Sequence, residues 1–387
     1  MRLRFSERSR SLPYSGIREI FDLANTMHDV VHLEIGEPGF DTPRPIIEAA
    51  MRSALAGDTH YTSSMGSEQL RRLIAEHLVE QHGVGFRPNE VVVTAGGMEA
   101  LLLAMLTLLD SGDEVILPSP HWPNYPAHVM LAGGRCANLQ LQKQDSFVPS
   151  KEQLKRLISR DTKVLLLNYP HNPTGAVLTD SQLEVLADIA VRHDLIVVSD
   201  EAYGSLVFDG RETASIISQP GMKDRTILVG TCSKTFAMTG WRVGWLVAAP
   251  ELASRASRLH EHTSACASSV SQAAAMAALR LPRGIVDVMI AEYESRRDLM
   301  ITELMGIPGL VPIKPQGTFY MMVDISSLGI PSLSLSHTLL SRARVAVAPG
   351  SAFGAEGEGY LRLCFASCPE TIREGTRRIR QGLETVV

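Results

Sequence analysis

Lys234, Asp200, Asn172 and Arg242 are residue types that suit one kind of chemistry, provided the chain gathers them. Lys234 stands in Thr231-Cys232-Ser233-Lys234-Thr235-Phe236-Ala237-Met238-Thr239-Gly240-Trp241-Arg242, between two short aliphatic runs at 226–230 and 243–247. A lysine at the edge of an apolar core gives up its proton more readily than one on a wet surface, because burial disfavours charge. A neutral amine can condense with an aldehyde to form a Schiff base. Arg242 offers a fork of donors that matches phosphate. Taken alone, the pattern also fits a surface lysine and an ordinary arginine.

Two other stretches narrow the choice. Residues 163–168 and 195–199 are aliphatic runs of the buried-strand kind, and each passes straight into polar residues. The first leads to Asn172-Pro173-Thr174-Gly175 and the second to Asp200-Glu201-Ala202-Tyr203. Sites in open α/β sheets lie beyond the carboxyl ends of the strands. Asn172, Asp200 and Lys234 are therefore expected on one rim.

These motifs, in this order, resemble the fold-type I pyridoxal-phosphate enzymes, specifically the class I/II aminotransferases. The resemblance runs from Ser15-Gly16-Ile17-Arg18 to Arg362. It implies an α/β large domain with a mostly parallel central sheet flanked by helices, plus a smaller α+β domain. It also implies pyridoxal 5′-phosphate as cofactor. Lys234 would bind the cofactor aldehyde and serve as the acid–base group. Asp200 would keep the pyridine nitrogen protonated, which makes the ring an electron sink. Asn172 and Tyr203 would donate to the ring's phenolic oxygen, and Trp122 would stack on the ring. Gly96, Gly97, Thr231, Ser233 and Arg242 would hold the phosphate, joined by Tyr61 of a partner subunit. That last assignment implies a homodimer with shared sites.

Residues 90–94 followed by Ala95-Gly96-Gly97-Met98 also read locally as a strand, a glycine turn and a helix start, where backbone N–H groups can cradle a phosphate. For the substrate, the resemblance names Gly36, Trp122, Asn172 and Arg362, with Arg362 gripping the α-carboxylate. Local sequence leaves Arg362 open between that role and a surface charge. Relatives that use aspartate well often carry a lysine after the phosphate-loop glycines, whereas this chain has Met98. A neutral or aromatic donor is therefore expected over aspartate, with 2-oxoglutarate or pyruvate as acceptor. Arg18, on an arm that can fold over the pocket, is the alternative source of a cation for aspartate. The same apparatus could run carbon–sulfur β-elimination, a cyclopropane-forming reaction or an oxidation. A degenerate, non-catalytic copy is disfavoured by intact Lys234, Asp200, Arg242 and Arg362.

The elements that must position these groups follow a strand–helix alternation through residue 250, as a mostly parallel sheet requires. Three parts are expected: an arm at 1–38, a large domain at 39–281 and a small domain at 282–387. Pro13 and Gly16 punctuate the arm, which carries a helix at 17–24 and a strand at 30–36. Thr179-Asp180-Ser181-Gln182 has the pattern of a capping box. Residues 252–279 read as a long helix interrupted near Ala265. Beyond Pro282, a helix at 285–305, strands at 317–324, 343–350 and 360–366, and a last helix at 369–383 are expected.

A chain of 387 residues accommodates two cores. The formal net charge of -5 argues against a dedicated nucleic-acid or polybasic membrane surface. Five cysteines without a CxxC pair suggest no metal site and fit a reducing cytoplasm. The opening Met1-Arg2-Leu3-Arg4-Phe5 has no apolar signal region, and no apolar run approaches the ~20 residues of a membrane span.

Overall fold

A computed structural model describes residues 4–12 and 14–384. Pro13 and the first three residues of the N-terminal segment lie outside them. In chain order the strands are β1 (Val31–His32), β2 (Val91–Thr94), β3 (Glu114–Ser119), β4 (Arg135–Gln140), β5 (Thr162–Asn168), β6 (Ile196–Asp200), β7 (Thr226–Thr231), β8 (Gly244–Val247), β9 (Val311–Pro312), β10 (Tyr320–Asp324), β11 (Val345–Ala346), β12 (Ala348–Pro349) and β13 (Tyr360–Cys364).

The large sheet has the order β2-β8-β7-β6-β5-β3-β4. Every strand in it but β8 runs the same way, since β8 is antiparallel to both β7 and β2. Successive side chains on a strand face opposite sides. Accordingly, Val164 and Leu166 of β5 join one apolar cluster, with the helices Gly97–Leu108 and Pro250–Thr263. Leu165 and Leu167 join the other, with Lys151–Leu157 and Asp180–Arg192. Burial on both faces explains why these strands are continuous aliphatic runs. Each fully buried side chain of this type contributes about 1.5–3 kcal/mol.

Thr179 forms the capping box: its N–H donates to Gln182 Oε1 (2.8 Å) and its hydroxyl accepts the Gln182 N–H. The helical stretch 252–279 is two helices, Pro250–Thr263 and Ser269–Leu279, and Ala265 has φ +61° in the break between them.

A second, antiparallel sheet has the order β12-β13-β10-β9. The helices Arg283–Leu304, Ser332–Ala343 and Pro369–Glu384 contribute buried side chains to the core around it. Two expectations need correction here. The strand at 30–36 is only β1, which pairs in parallel with β11 (Val31↔Val345). The strand at 343–350 is divided, because β11 serves β1 while β12 pairs with β13, so the chain changes sheets at Val347. The helix Ser332–Ala343 was not signalled, because its serines are weak helix formers. Burial of Leu335, Leu339 and Leu340 overrides that weakness. Among the described residues, no helix is long and apolar enough to cross a membrane.

Candidate active site

The carboxyl ends of β2, β5, β6 and β7 meet at one rim. Register sets Asn168 beside Asp200 and Thr231 beside Gly244, with Thr94 on the other side of Gly244. Asn168 ties two of the strand exits together: its Nδ2 donates to Asp200 O (3.0 Å) and its Oδ1 accepts the Asn172 N–H (3.0 Å). Asp200 is buried and held twice, by the Tyr125 hydroxyl at Oδ2 (2.7 Å) and the Ala202 N–H at Oδ1 (3.0 Å). Burial pushes its carboxyl up to about 6 against the downward pull of those two donors. Burial also keeps the Tyr125 hydroxyl protonated, well above the usual range, so Tyr125 is the donor.

Lys234 lies in the turn after β7. Its Nζ donates to Gly36 O (2.8 Å) and sits 5.7 Å from the centre of the Phe319 ring. Enclosure brings the amine down from 10.5 to about 8, with nearby Arg362 and Arg242 adding to the fall. Gly36 is bare for a reason: a Cβ there would meet the Tyr320 hydroxyl at 1.7 Å. That hydroxyl in turn lies 2.8 Å from the hydroxyl of Tyr203.

The turn at Gly96 adopts φ +85° and ψ 170°, a conformation available to glycine, and a Cβ would sit 2.7 Å from Arg242 Nη2. Its own N–H donates to Thr94 O (2.8 Å), so the free donors here are those that open the helix Gly97–Leu108. Across the turn, Arg242 donates to Thr239 O (2.9 Å) and Ala95 O (3.3 Å). Thr231 Oγ1 accepts the Ser233 N–H (3.1 Å) and lies 2.9 Å from Ser233 Oγ. A Cβ on Gly97 would lie 3.6 Å from the Thr231 side chain, so this threonine, the Arg242 guanidinium and a helix start border one bare glycine turn.

Arg362 is only 2% exposed and is not a surface charge. Nη1 donates to Asn172 Oδ1 (3.2 Å) and Nη2 to Glu34 O, while Nε has no acceptor. Its guanidinium lies over the rings of Tyr320 (4.1 Å) and Phe353 (4.8 Å). Arg362 is opposite Met322, and Tyr320 is two residues from Met322 on the same face. No carboxylate is within ion-pair distance of it among the described residues.

Trp122 is half-buried and edge-on to Tyr125 (5.3 Å). Tyr61 is 89% exposed on a well-anchored loop, and Met98 is 39% exposed with Asn124 Nδ2 3.2 Å from its sulfur. Arg18 does not join the cluster. It is exposed on the helix Gly16–Ala24, over the ring of Phe21. Sequence reasoning passed over Tyr125 and Tyr320. Tyr125 could have been sought three residues beyond Trp122, a spacing that puts both on one side of a helical turn.

A family model for "Aminotransferase class I and II" matches residues 28–379. An aspartate aminotransferase of Pyrococcus horikoshii is 38% identical over 98% of this chain and 97% of its own. Aromatic-amino-acid aminotransferase 2 of Thermococcus litoralis is 39% identical over 98% of each. The chain belongs to the class I and II aminotransferases. The solved aspartate aminotransferase of Thermus thermophilus with maleate superposes with a TM-score of 0.94 at 34% identity, covering 98% of this aminotransferase and all of that chain. The fold is therefore fold type I, and the enzyme is a pyridoxal-phosphate-dependent aminotransferase. Its residues fit that cofactor on their own chemistry. The bare turn brings the Arg242 guanidinium against the start of the helix Gly97–Leu108, the Lys234 amine is enclosed, and Asp200 is a buried acid held by two donors. Among the described residues, no group of three or more His, Cys, Asp or Glu could hold a metal ion.

Proposed function

We propose that this aminotransferase moves the amino group of a neutral or aromatic L-amino acid to 2-oxoglutarate or pyruvate. The observation that carries substrate recognition is Arg362, a buried guanidinium with an unsatisfied Nε and only neutral acceptors. A buried cation without a counter-ion is costly. An α-carboxylate, common to every amino acid and 2-oxo acid, supplies the missing charge bidentately.

Pyridoxal 5′-phosphate, when bound, supplies an aldehyde for the amino group and a ring that accepts the electron pair left on the substrate's α-carbon. Arg242, Thr231, Ser233 and the N–H groups at Gly97 would hold its phosphate. Asp200 would hold a proton on the ring nitrogen, oriented by Tyr125. Arg362 takes Asn172 Oδ1, which leaves Asn172 Nδ2 to donate to the ring oxygen beside Tyr203. Lys234 would take the proton from the substrate's α-carbon and give it to the cofactor's former aldehyde carbon, on the far side of the amino nitrogen. The part of the chain from 282 to 387, with the arm, would close over the substrate and exclude water.

Met98 supports the donor preference, since it brings a thioether rather than a cation to the rim. Comparison of kcat/KM across an amino-acid panel should give phenylalanine-like or neutral donors the higher values. Clear preference for aspartate would reverse this reading. Several relatives are aspartate aminotransferases, which keeps that second reading in view, and Arg18→Ala would then test the arm as source of the cation. We also propose a homodimer. A tyrosine as exposed as Tyr61, on a loop fixed at both ends by Gln272, suits a partner's phosphate. Sedimentation of active enzyme at assay concentration should show a dimer or larger; a fully active monomer excludes it.

A further inference from the structure

Glu99 and His260 lie outside the residues assigned above, yet they join two of the elements that matter. Glu99 is the third residue of the helix Gly97–Leu108, and its Oε2 accepts the Ala95 N–H (2.6 Å). Its Oε1 accepts the hydroxyl of Ser264 and lies 3.4 Å from that of Thr263. His260, on the helix Pro250–Thr263, is fully buried. Its Nδ1 lies 2.7 Å from Ser64 O and its Nε2 lies 3.3 Å from Glu99 Oε2. A carbonyl can only accept, so Nδ1 carries a proton. A second proton on Nε2 would make His260 a cation beside the carboxylate. Burial opposes both charges, but the pair and its donors outweigh it: Glu99 is brought down to about 2 and His260 is raised.

Ser64 belongs to the loop that carries Tyr61. That loop is held at Met65 O by the Val93 N–H (3.0 Å), and Gln272 binds Thr62 Oγ1 (2.9 Å) and the Ser67 N–H (2.7 Å). The contacts Ser64–His260–Glu99–Ala95 thus run from the Tyr61 loop to the glycine turn, the middle one an ion-pair approach without an aligned hydrogen bond. A lone carboxylate one residue past that turn's free donors would repel a phosphate. Glu99 turns its oxygens towards Ala95, Ser264 and His260, and His260, when its Nε2 carries a proton, balances that charge.

We propose that Glu99 and His260 are a positioning pair that fixes the shape of the phosphate turn against the Tyr61 loop and neutralises the carboxylate there. The proposal rests on the reading of that turn as the phosphate site. It makes phosphate recognition depend on a histidine that need not touch the cofactor.

The test compares binding of pyridoxal 5′-phosphate with binding of pyridoxal, which has the same aldehyde without the phosphate, to apoenzyme. His260→Gln keeps a donor for Ser64 but removes the balancing charge. The preference for the phosphorylated aldehyde should fall about tenfold or more, equivalent to ~1.4 kcal/mol, with pyridoxal binding little changed. Glu99→Gln/His260→Gln, which removes the uncompensated carboxylate, should recover most of the preference. Should His260→Gln fail to fold, Ser264→Ala removes one exposed donor to Glu99 and should lower the preference by a smaller factor. Equal weakening of both aldehydes, or an unchanged preference in the folded variants, overturns the proposal. Native apoenzyme that captures neither aldehyde overturns the cofactor reading itself.

Discussion

Lys234→Ala abolishes the borohydride-reducible bond between cofactor and protein and leaves transamination at background. A positioned general base contributes about 10²–10⁴-fold in rate, and here the same amine is also the covalent anchor. The loss should therefore exceed that of any other single replacement in the site. Single-turnover measurement with added cofactor would show it, and a reducible adduct persisting on the variant would move the role elsewhere. A second readout needs no cofactor. The enclosed amine has its folded value at about 8, below its ordinary 10.5. Between those values the unfolded chain binds the proton that the folded chain has released, so the lysine's burden on stability falls as pH rises. Ligand-free Lys234→Ala should melt above the native apoenzyme near neutrality. That difference should narrow from pH ~8 towards ~10.5, the interval set by the two values.

Arg362→Ala lowers kcat/KM for every donor, neutral and aromatic alike, because all share the α-carboxylate. Loss of one member of a buried, hydrogen-bonded charge pair is worth roughly 2–5 kcal/mol, which makes thirty-fold about the minimum. Arg362→Lys should rescue poorly, since an ammonium cannot present the planar fork. Asn172 also loses the donor that fixes its amide, so the absorption of bound cofactor should shift slightly without being lost. A loss confined to donors with one kind of side chain would show that Arg362 reads the far end of the substrate instead.

The two cases differ in how far sequence could anticipate them. Asn172, Asp200 and Lys234 each follow an aliphatic run that ends in polar residues, so a local pattern placed them at strand exits. The parallel register then did the gathering. Arg362 has no such local signature. Its burial depends on Glu34 and Asn172, 328 and 190 residues away in the chain. Tyr125 was legible only through its spacing from Trp122, because its partner Asp200 is 75 residues away. The divided strand at 343–350 was missed for a similar reason. Nothing in the run itself says that its halves pair with different strands.

Residues 31–36 lend one backbone oxygen to each of the two buried cations, Glu34 O to Arg362 and Gly36 O to Lys234. They are set in place by Val31 lying beside Val345 and by the Cys364 N–H on Leu33 O. Synthesis delivers these partners at opposite ends of the process. A nascent chain that has completed the large sheet still has its N-terminal segment waiting for strands not yet made, and contacts of such separation close slowly. Until they close, the Lys234 amine should be wetter, and burial should lower its basicity less, than in the finished enzyme. A chain cut short before β13 is therefore expected to carry every residue assigned to the cofactor and yet to lack contacts that enclose Lys234, so its amine should react more slowly with the aldehyde.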